Sequence, residues 1–106
     1  MKWVKLFKSI DEAEKAIGLN KIKLASINGK RIAIMRSADG FYAADDSCPH
    51  MHESLSQGQL NAYNELICPL HFYRFNIVTG DESSSRCPSL NTYKIKIEEQ
   101  GVFIEV

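Results

Sequence analysis

The sequence lacks both a long apolar run and a block of charge of one sign. Thirteen Lys and Arg residues balance thirteen Asp and Glu residues, so neither nucleic acid nor an anionic membrane surface is indicated as a partner. Lysines at positions 2, 5 and 8 interrupt the N-terminal segment and leave no apolar stretch for a signal peptide or a membrane span. We therefore expect a cytoplasmic protein.

Cysteine is also scarce, with three in the chain, and three thiols cannot all pair with one another. Two of them, Cys48 and Cys68, each lie a few residues before a histidine. In a reducing compartment this pattern indicates metal binding rather than a disulfide. The length of 106 residues fits a single domain, residues 1–106, with a hydrophobic core and no room for a second catalytic domain.

Strand patterns dominate the chain. Residues 21–27 (KIKLASI) and 30–36 (KRIAIMR) alternate polar and apolar side chains on either side of Asn28-Gly29, which predicts a β-hairpin. Further hairpin turns are predicted at Asp39-Gly40 and at Gln100-Gly101. The sequence therefore predicts a small all-β fold, an antiparallel sandwich or barrel.

One short helix interrupts this pattern near the N-terminus. Residues 9–17 (SIDEAEKAI) begin with the capping residue Ser9, continue with good helix formers and end at Gly18. A helix this short is held mainly by its packing. We expect it to cover one open end of the β core through Ile10, Ala13 and Ile17.

Two segments have weak strand character and need something to order them. Residues 46–60 (DSCPHMHESLSQGQL) are polar and contain both Pro and Gly, and residues 68–75 (CPLHFYRF) contain the second Cys-His couple. Long loops in compact domains are usually functional or disordered, and metal coordination would order them. We expect two exposed loops held by a metal.

The candidate metal ligands form two mixed couples, Cys48-x-His50 and, after seventeen further residues, Cys68-x-x-His71. Proline follows each cysteine and stiffens the backbone beside it. Two thiolates and two imidazoles suit either tetrahedral zinc or a binuclear iron–sulfur cluster. Zinc modules usually carry both cysteines in one couple and both histidines in the other, so the mixed order favours a cluster.

At this point the sequence resembles the Rieske [2Fe–2S] family, whose motif is a Cys-x-His loop and a Cys-x-x-His loop at about this separation. The resemblance extends over most of residues 30–106 and implies an antiparallel β fold with a cluster-binding subdomain formed by two loops. It also implies that Cys48 and Cys68 bind one iron of a [2Fe–2S] cluster, one per chain, and that His50 and His71 bind the other.

Neighbouring residues place the chain within that family. High-potential relatives carry a disulfide between the two loops, and here the corresponding positions hold Glu53 and Leu70. The same relatives supply hydroxyl donors where this chain has Tyr73 and Phe75. Fewer hydrogen bonds to the cluster stabilise its reduced charge less, so the resemblance is to the soluble low-potential Rieske ferredoxins.

Three residues near the motif depart from it or lie outside it. Many of these ferredoxins have Gly after the second-loop histidine, where this chain has Phe72, so the resemblance leaves the local backbone geometry there open. His52 has no place in the four-ligand motif and is expected to face solvent. Cys87 is expected to pack as a small hydrophobe.

The resemblance implies a one-electron carrier, not an enzyme, which passes electrons from a flavoprotein reductase to a terminal oxygenase. An oxygenase site would need a mononuclear iron held by two histidines and a carboxylate, and only His52 remains unassigned. The alternatives are the small subunit of a nitrite reductase and, from another class, a structural zinc module that mediates protein contacts.

Overall fold

The computed structural model describes residues 2–49, 53–70 and 72–106. In these residues the elements, in chain order, are β1 (Trp3–Phe7), α1 (Ile10–Ala16), β2 (Lys21–Ile27), β3 (Lys30–Ser37), β4 (Gly40–Asp45), a short 3₁₀ helix (Leu55–Gln57), β5 (Gln59–Leu60), β6 (Glu65–Ile67), β7 (Arg74–Asn76), β8 (Thr92–Tyr93), β9 (Ile95–Glu98) and β10 (Gly101–Glu105). No helix among them has the length and apolar character that crossing a membrane requires.

Within the described ranges the strands form three antiparallel sheets. The largest has the order β2-β3-β4-β8, a second has the order β1-β10-β9, and a third, small sheet has the order β5-β6-β7. The all-β prediction is therefore confirmed. The third sheet carries the second predicted metal loop, because residues 68–73 connect β6 to β7.

The four-stranded sheet is buried on both faces. Successive side chains of a strand point to opposite faces, and Ile34 and Ala43 join one buried cluster while their neighbours Met35 and Ala44 join another. The second of these clusters also contains Leu66 of β6. The small sheet thus packs on one face of the four-stranded sheet, while β10 and α1 pack on the other.

Helix α1 covers the core as predicted. Ser9 caps its N-terminus, since the Ser9 hydroxyl accepts a hydrogen bond from the Glu12 N–H at 3.1 Å. Ala13 and Ile17 are buried in the cluster that contains Ile104 of β10, and Ile10 packs against the same cluster. The helix is therefore held by its apolar face, in agreement with its short length.

The three predicted hairpins form, but two of them turn one residue earlier than expected. Asn28-Gly29 lies between the paired residues Ile27 and Lys30, as predicted. The register Ser37–Gly40 makes Ala38 and Asp39 the second loop, and the third hairpin is shifted in the same way. In both, the glycine occupies the first strand position at a φ above +130°, a backbone conformation that only glycine adopts readily.

Within the predicted exposed loop 46–60, the described residues 46–49 and 53–60 are more structured than expected. Leu55 is fully buried in the cluster next to the small sheet, and residues 59 and 60 form β5. The expectation of an exposed loop was therefore wrong for the second half of this segment. Alternating polarity misses such a segment because one buried leucine and a two-residue strand leave no period to detect.

Gly80 and Gly29 offer a matched test of what holds the small sheet against the rest of the chain. Both have similar positive φ angles, +85° and +81°, but a Cβ on Gly80 would lie 2.1 Å from the Leu90 carbonyl oxygen, whereas one on Gly29 meets nothing within 4 Å. We expect Gly29→Ala to cost about 1 kcal/mol from its left-handed backbone. Gly80→Ala should cost about 1–3 kcal/mol more because the backbone must shift.

Urea unfolding of the two variants beside the parent protein measures this difference. The Leu90 N–H also donates a hydrogen bond to the Gly80 carbonyl at 2.7 Å, so the displacement would loosen the segment that returns to β8. Equal losses of stability in the two variants would contradict the close approach at Gly80.

Candidate metal centre

The two cysteines predicted to bind metal lie together in the interior. Cys48 lies just after β4, and Cys68 directly follows β6. Both side chains are fully buried in the same hydrophobic cluster. The fold therefore brings two distant parts of the sequence to one point.

The same backbone hydrogen bond closes both loops. The Cys48 N–H donates to the Glu53 carbonyl at 2.9 Å, and the Cys68 N–H donates to the Tyr73 carbonyl at 2.8 Å. In each loop the bond joins the cysteine to the residue five positions later, which fixes the loop width at its base. The motifs Cys-x-His and Cys-x-x-His differ in spacing by one residue. The two cysteines nevertheless begin loops that a backbone hydrogen bond closes over the same number of residues.

The predicted histidine ligands His50 and His71, and the non-ligand His52, lie outside the described residues. Each ligand histidine nevertheless falls, in sequence, between the two residues that a loop-closing bond joins. Among the residues that are described, no group of three or more His, Cys, Asp or Glu side chains converges as a metal site. Of the four predicted ligands, the structure therefore describes the two cysteines.

The chemistry of the cysteine pair fits a bound cation. Burial, together with the neighbouring Cys48 thiol, raises the pKa of Cys68 to about 11, although a backbone hydrogen bond from Leu70 acts in the opposite direction. A thiol with such a pKa holds its proton at pH 7, and metal ions bind the thiolate. A cluster bound here would therefore displace the Cys68 proton and supply positive charge beside the resulting thiolate.

A buried carboxylate orders the described ends of the first loop, and no local pattern in the sequence indicates it. Asp46 is almost fully buried and accepts hydrogen bonds from the Ser56 N–H at 2.8 Å and the Ser54 hydroxyl at 2.6 Å. The Arg31 guanidinium adds a contact at 3.3 Å. These bonds tie the two ends of the first loop to each other and to β3.

Phe72, which stands where related ferredoxins often have glycine, has an unusual backbone conformation. Its φ angle is +57°, a left-handed conformation that glycine adopts at no steric cost and other residues adopt rarely. Its ring is 71% exposed, so packing within the described chain does not account for an aromatic residue here. A glycine here, as is frequent in the ferredoxins that the sequence resembles, would adopt this φ without steric cost.

The other residues near the second loop are mostly core. Phe75 is fully buried in the cluster that contains both cysteines, and Tyr73 and Cys87 pack against that cluster. The predicted packing role of Cys87 is confirmed. None of the three cysteines, all of them in the described ranges, forms a disulfide, and Glu53 and Leu70 occupy the positions where a loop disulfide would need cysteine.

Comparison with known proteins agrees with this arrangement. The family model of the Rieske [2Fe-2S] domain matches residues 3–94. The ferredoxin CarAc of Metapseudomonas resinovorans is 36% identical over 74 residues, which are 69% of this chain and 68% of that protein. The methanesulfonate monooxygenase ferredoxin subunit of Methylosulfonomonas methylovora is 31% identical over 101 residues, 95% of this chain and 77% of that protein.

Solved structures have the same fold. A chain from a complex of reduced oxygenase and oxidized ferredoxin in carbazole 1,9a-dioxygenase is 31% identical, with a TM-score of 0.80, and the match covers 96% of this chain and 91% of that one. The ferredoxin of carbazole 1,9a-dioxygenase from Nocardioides aromaticivorans IC177 is 22% identical with a TM-score of 0.82, over 98% of this chain and 97% of that one.

The extent of the family match, the antiparallel fold and the two buried cysteines agree on one cofactor. It is a Rieske-type [2Fe–2S] cluster, and the family match favours it over the structural zinc module considered from the sequence. The protein transfers electrons, since its relatives are ferredoxin components of oxygenase systems. The chain belongs to the Rieske [2Fe-2S] domain family.

Proposed function

We propose that this protein carries single electrons from a flavoprotein reductase to a terminal oxygenase and has no substrate site of its own. One observation carries the proposal: two fully buried cysteines meet in loops closed by the same backbone hydrogen bond. A bound Rieske cluster supplies one-electron chemistry between these loops. The chain's own part is to hold the cluster, exclude water from its cysteine side and present it to partners.

The ligand assignment is part of the proposal. Cys48 and Cys68 would bind one iron, and His50 and His71 the other, so that each loop spans both metals. The shared burial of the two cysteines and the position of each histidine within a closed loop support this assignment. His52, the third histidine, would remain outside the ligand set.

The relatives favour the oxygenase pathway over the nitrite reductase alternative. Those at 31–36% identity are named as ferredoxin components of carbazole, naphthalene, p-cumate and other oxygenase systems. The neighbour described as a nitrite reductase small subunit is 21% identical, which carries the likeness of fold alone. We propose further that residues 1–106 act as one Rieske domain in the cytoplasm.

The first prediction concerns stoichiometry and partner. Protein purified without oxygen should contain two irons and two labile sulfides per chain and should accept one electron in a reductive titration. A flavoprotein reductase with NADH should reduce it, and an oxygenase component should reoxidise it. A colourless protein with one zinc would contradict the proposal, and stable copurification with a large nitrite reductase chain would favour the alternative.

The second prediction tests the four ligands one at a time. Cys48→Ser, Cys68→Ser, His50→Ala and His71→Ala should each abolish the visible absorption of the native cluster, because each removes one of four donors. The measurement is iron content together with visible circular dichroism after reconstitution.

The matched controls for the ligand test are His52→Ala and Cys87→Ser. They remove the same side-chain types from positions outside the ligand set, and we expect a visible spectrum within a few per cent of the parent. Loss of the cluster in His52→Ala with retention in His50→Ala would mean that the first couple is misassigned.

The third prediction concerns the reduction potential. Phe75 has no hydroxyl where high-potential relatives have a tyrosine donor, and Glu53 and Leu70 leave no loop disulfide, so the midpoint at pH 7 should lie near the low end of the family range, about −150 mV. Phe75 is fully buried in the same cluster as both cysteines, so Phe75→Tyr should raise the midpoint by tens of millivolts if its hydroxyl reaches a sulfur.

Protein-film voltammetry of the parent, Phe75→Tyr and the hydroxyl-free control Phe75→Met measures this effect. A parent midpoint above about +100 mV, well inside the high-potential part of the family range, would contradict the donor argument. A rise in the Met variant equal to that in the Tyr variant would show that ring packing, and not a hydrogen bond, sets the shift.

A further inference from the structure

An ion pair with a buried carboxylate lies beside the second loop and has no part in the ligand motif. Glu82 is 3% exposed, and its carboxylate accepts hydrogen bonds from the Arg86 backbone N–H at 2.8 Å, from Nε at 3.3 Å and from Nη2 at 2.9 Å. Burial of a carboxylate is unfavourable unless donors surround it. The Arg86 guanidinium, in a two-point arrangement, is the main one.

The guanidinium also stacks on the second loop. Its central carbon lies 3.7 Å from the centre of the Tyr73 ring, a close cation–π contact. The Tyr73 carbonyl is the group that accepts the loop-closing hydrogen bond from the Cys68 N–H at 2.8 Å. Arg86 thus contacts Tyr73, the residue whose carbonyl closes the loop that begins at Cys68.

The pair is anchored in the fold and cannot move independently of that loop. Glu82 forms a β-bridge with Phe75 of β7, and the Ser83 N–H donates to the Arg74 carbonyl at 2.8 Å. The residue after Arg86 is Cys87, which packs against the buried cluster that contains Cys48 and Cys68. The charges of Glu82 and Arg86 therefore lie beside the hydrophobic cluster that contains Cys48 and Cys68.

We propose that Arg86 is a positioning residue that holds Tyr73 over the second loop, and that the charges of Glu82 and Arg86 act in opposite directions on the reduction potential. The inference rests on the proposed function. Reduction adds one negative charge, which a nearby guanidinium favours and a nearby carboxylate disfavours. In a partly buried setting these interactions are stronger than in water.

The charges are tested in the cluster-loaded protein with Glu82→Gln and Arg86→Gln, measured by film voltammetry at pH 7. Glu82→Gln should raise the potential and Arg86→Gln should lower it. We expect each to change the equilibrium constant of reduction about two- to tenfold, where tenfold corresponds to about 59 mV for one electron. In Arg86→Gln the carboxylate keeps the residue-86 backbone N–H and the Ser83 hydroxyl as donors, so it stays ionised.

Positioning is separated from charge by Arg86→Lys, which keeps the charge but loses the planar fork and the stacking. Its potential should stay within twofold of the parent in equilibrium constant. An iron chelator should remove its cluster several-fold faster, because the Tyr73 ring loses the guanidinium that stacks on it. If Arg86→Gln fails to assemble, Glu82→Gln and Arg86→Lys still decide the matter through a raised potential in the first and an unchanged potential in the second.

The matched control is the ion pair between Lys96 and Glu98, 3.8 Å apart on β9 in the sheet on the other side of the core. Lys96→Gln and Glu98→Gln make the same charge changes and should leave the potential unchanged. Shifts of the same sign in both Glu82→Gln and Arg86→Gln, or shifts no larger than in the controls, would overturn the inference. Absence of any one-electron wave in the parent would instead overturn the proposed function.

Discussion

Two backbone hydrogen bonds, from the N–H groups of Cys48 and Cys68 to carbonyls five residues ahead, are the constraint on which the metal centre depends. They set the same frame in two loops whose motifs differ by one residue. Because both bonds start at the cysteines themselves, they fix the backbone from which each thiol projects. The buried surroundings then raise the pKa of Cys68, so a bound cation is needed to hold that residue as a thiolate at neutral pH.

The frame is held in turn by a sheet buried on both faces and by two buried carboxylates. Met35 and Ala44 of the four-stranded sheet pack against the small sheet. On the opposite face of the four-stranded sheet, α1 and β10 cover the core. Asp46 ties the first loop to β3, and Glu82 ties the segment after β7 to the second loop through Arg86. Each carboxylate is satisfied by several donors, which offsets the free energy of burying it.

Local patterns in the sequence were sufficient for most of the fold. Alternation across Asn28-Gly29 and the capped segment after Ser9 are decided by neighbours within one turn, so β2, β3 and α1 appear where they were predicted. The mixed Cys-His couples likewise predicted a metal centre, since ligand type and spacing lie within short stretches. The last two hairpin turns lie one residue earlier than predicted because a glycine indicates a turn but not which turn or strand position the glycine occupies.

Long-range packing decided what these patterns could not express. Nothing near Asp46 in the sequence indicates that Ser54, Ser56 and Arg31 converge on it, and nothing near Glu82 indicates that Arg86 stacks on Tyr73. By itself the sequence determined the strand periodicity, the short helix and the types of metal donor, because these depend on spacing along the chain. Only the tertiary structure decided the burial of the cysteine pair, the Arg31–Asp46 ion pair and the stacking of Arg86 on Tyr73, because those depend on contacts between residues distant in sequence.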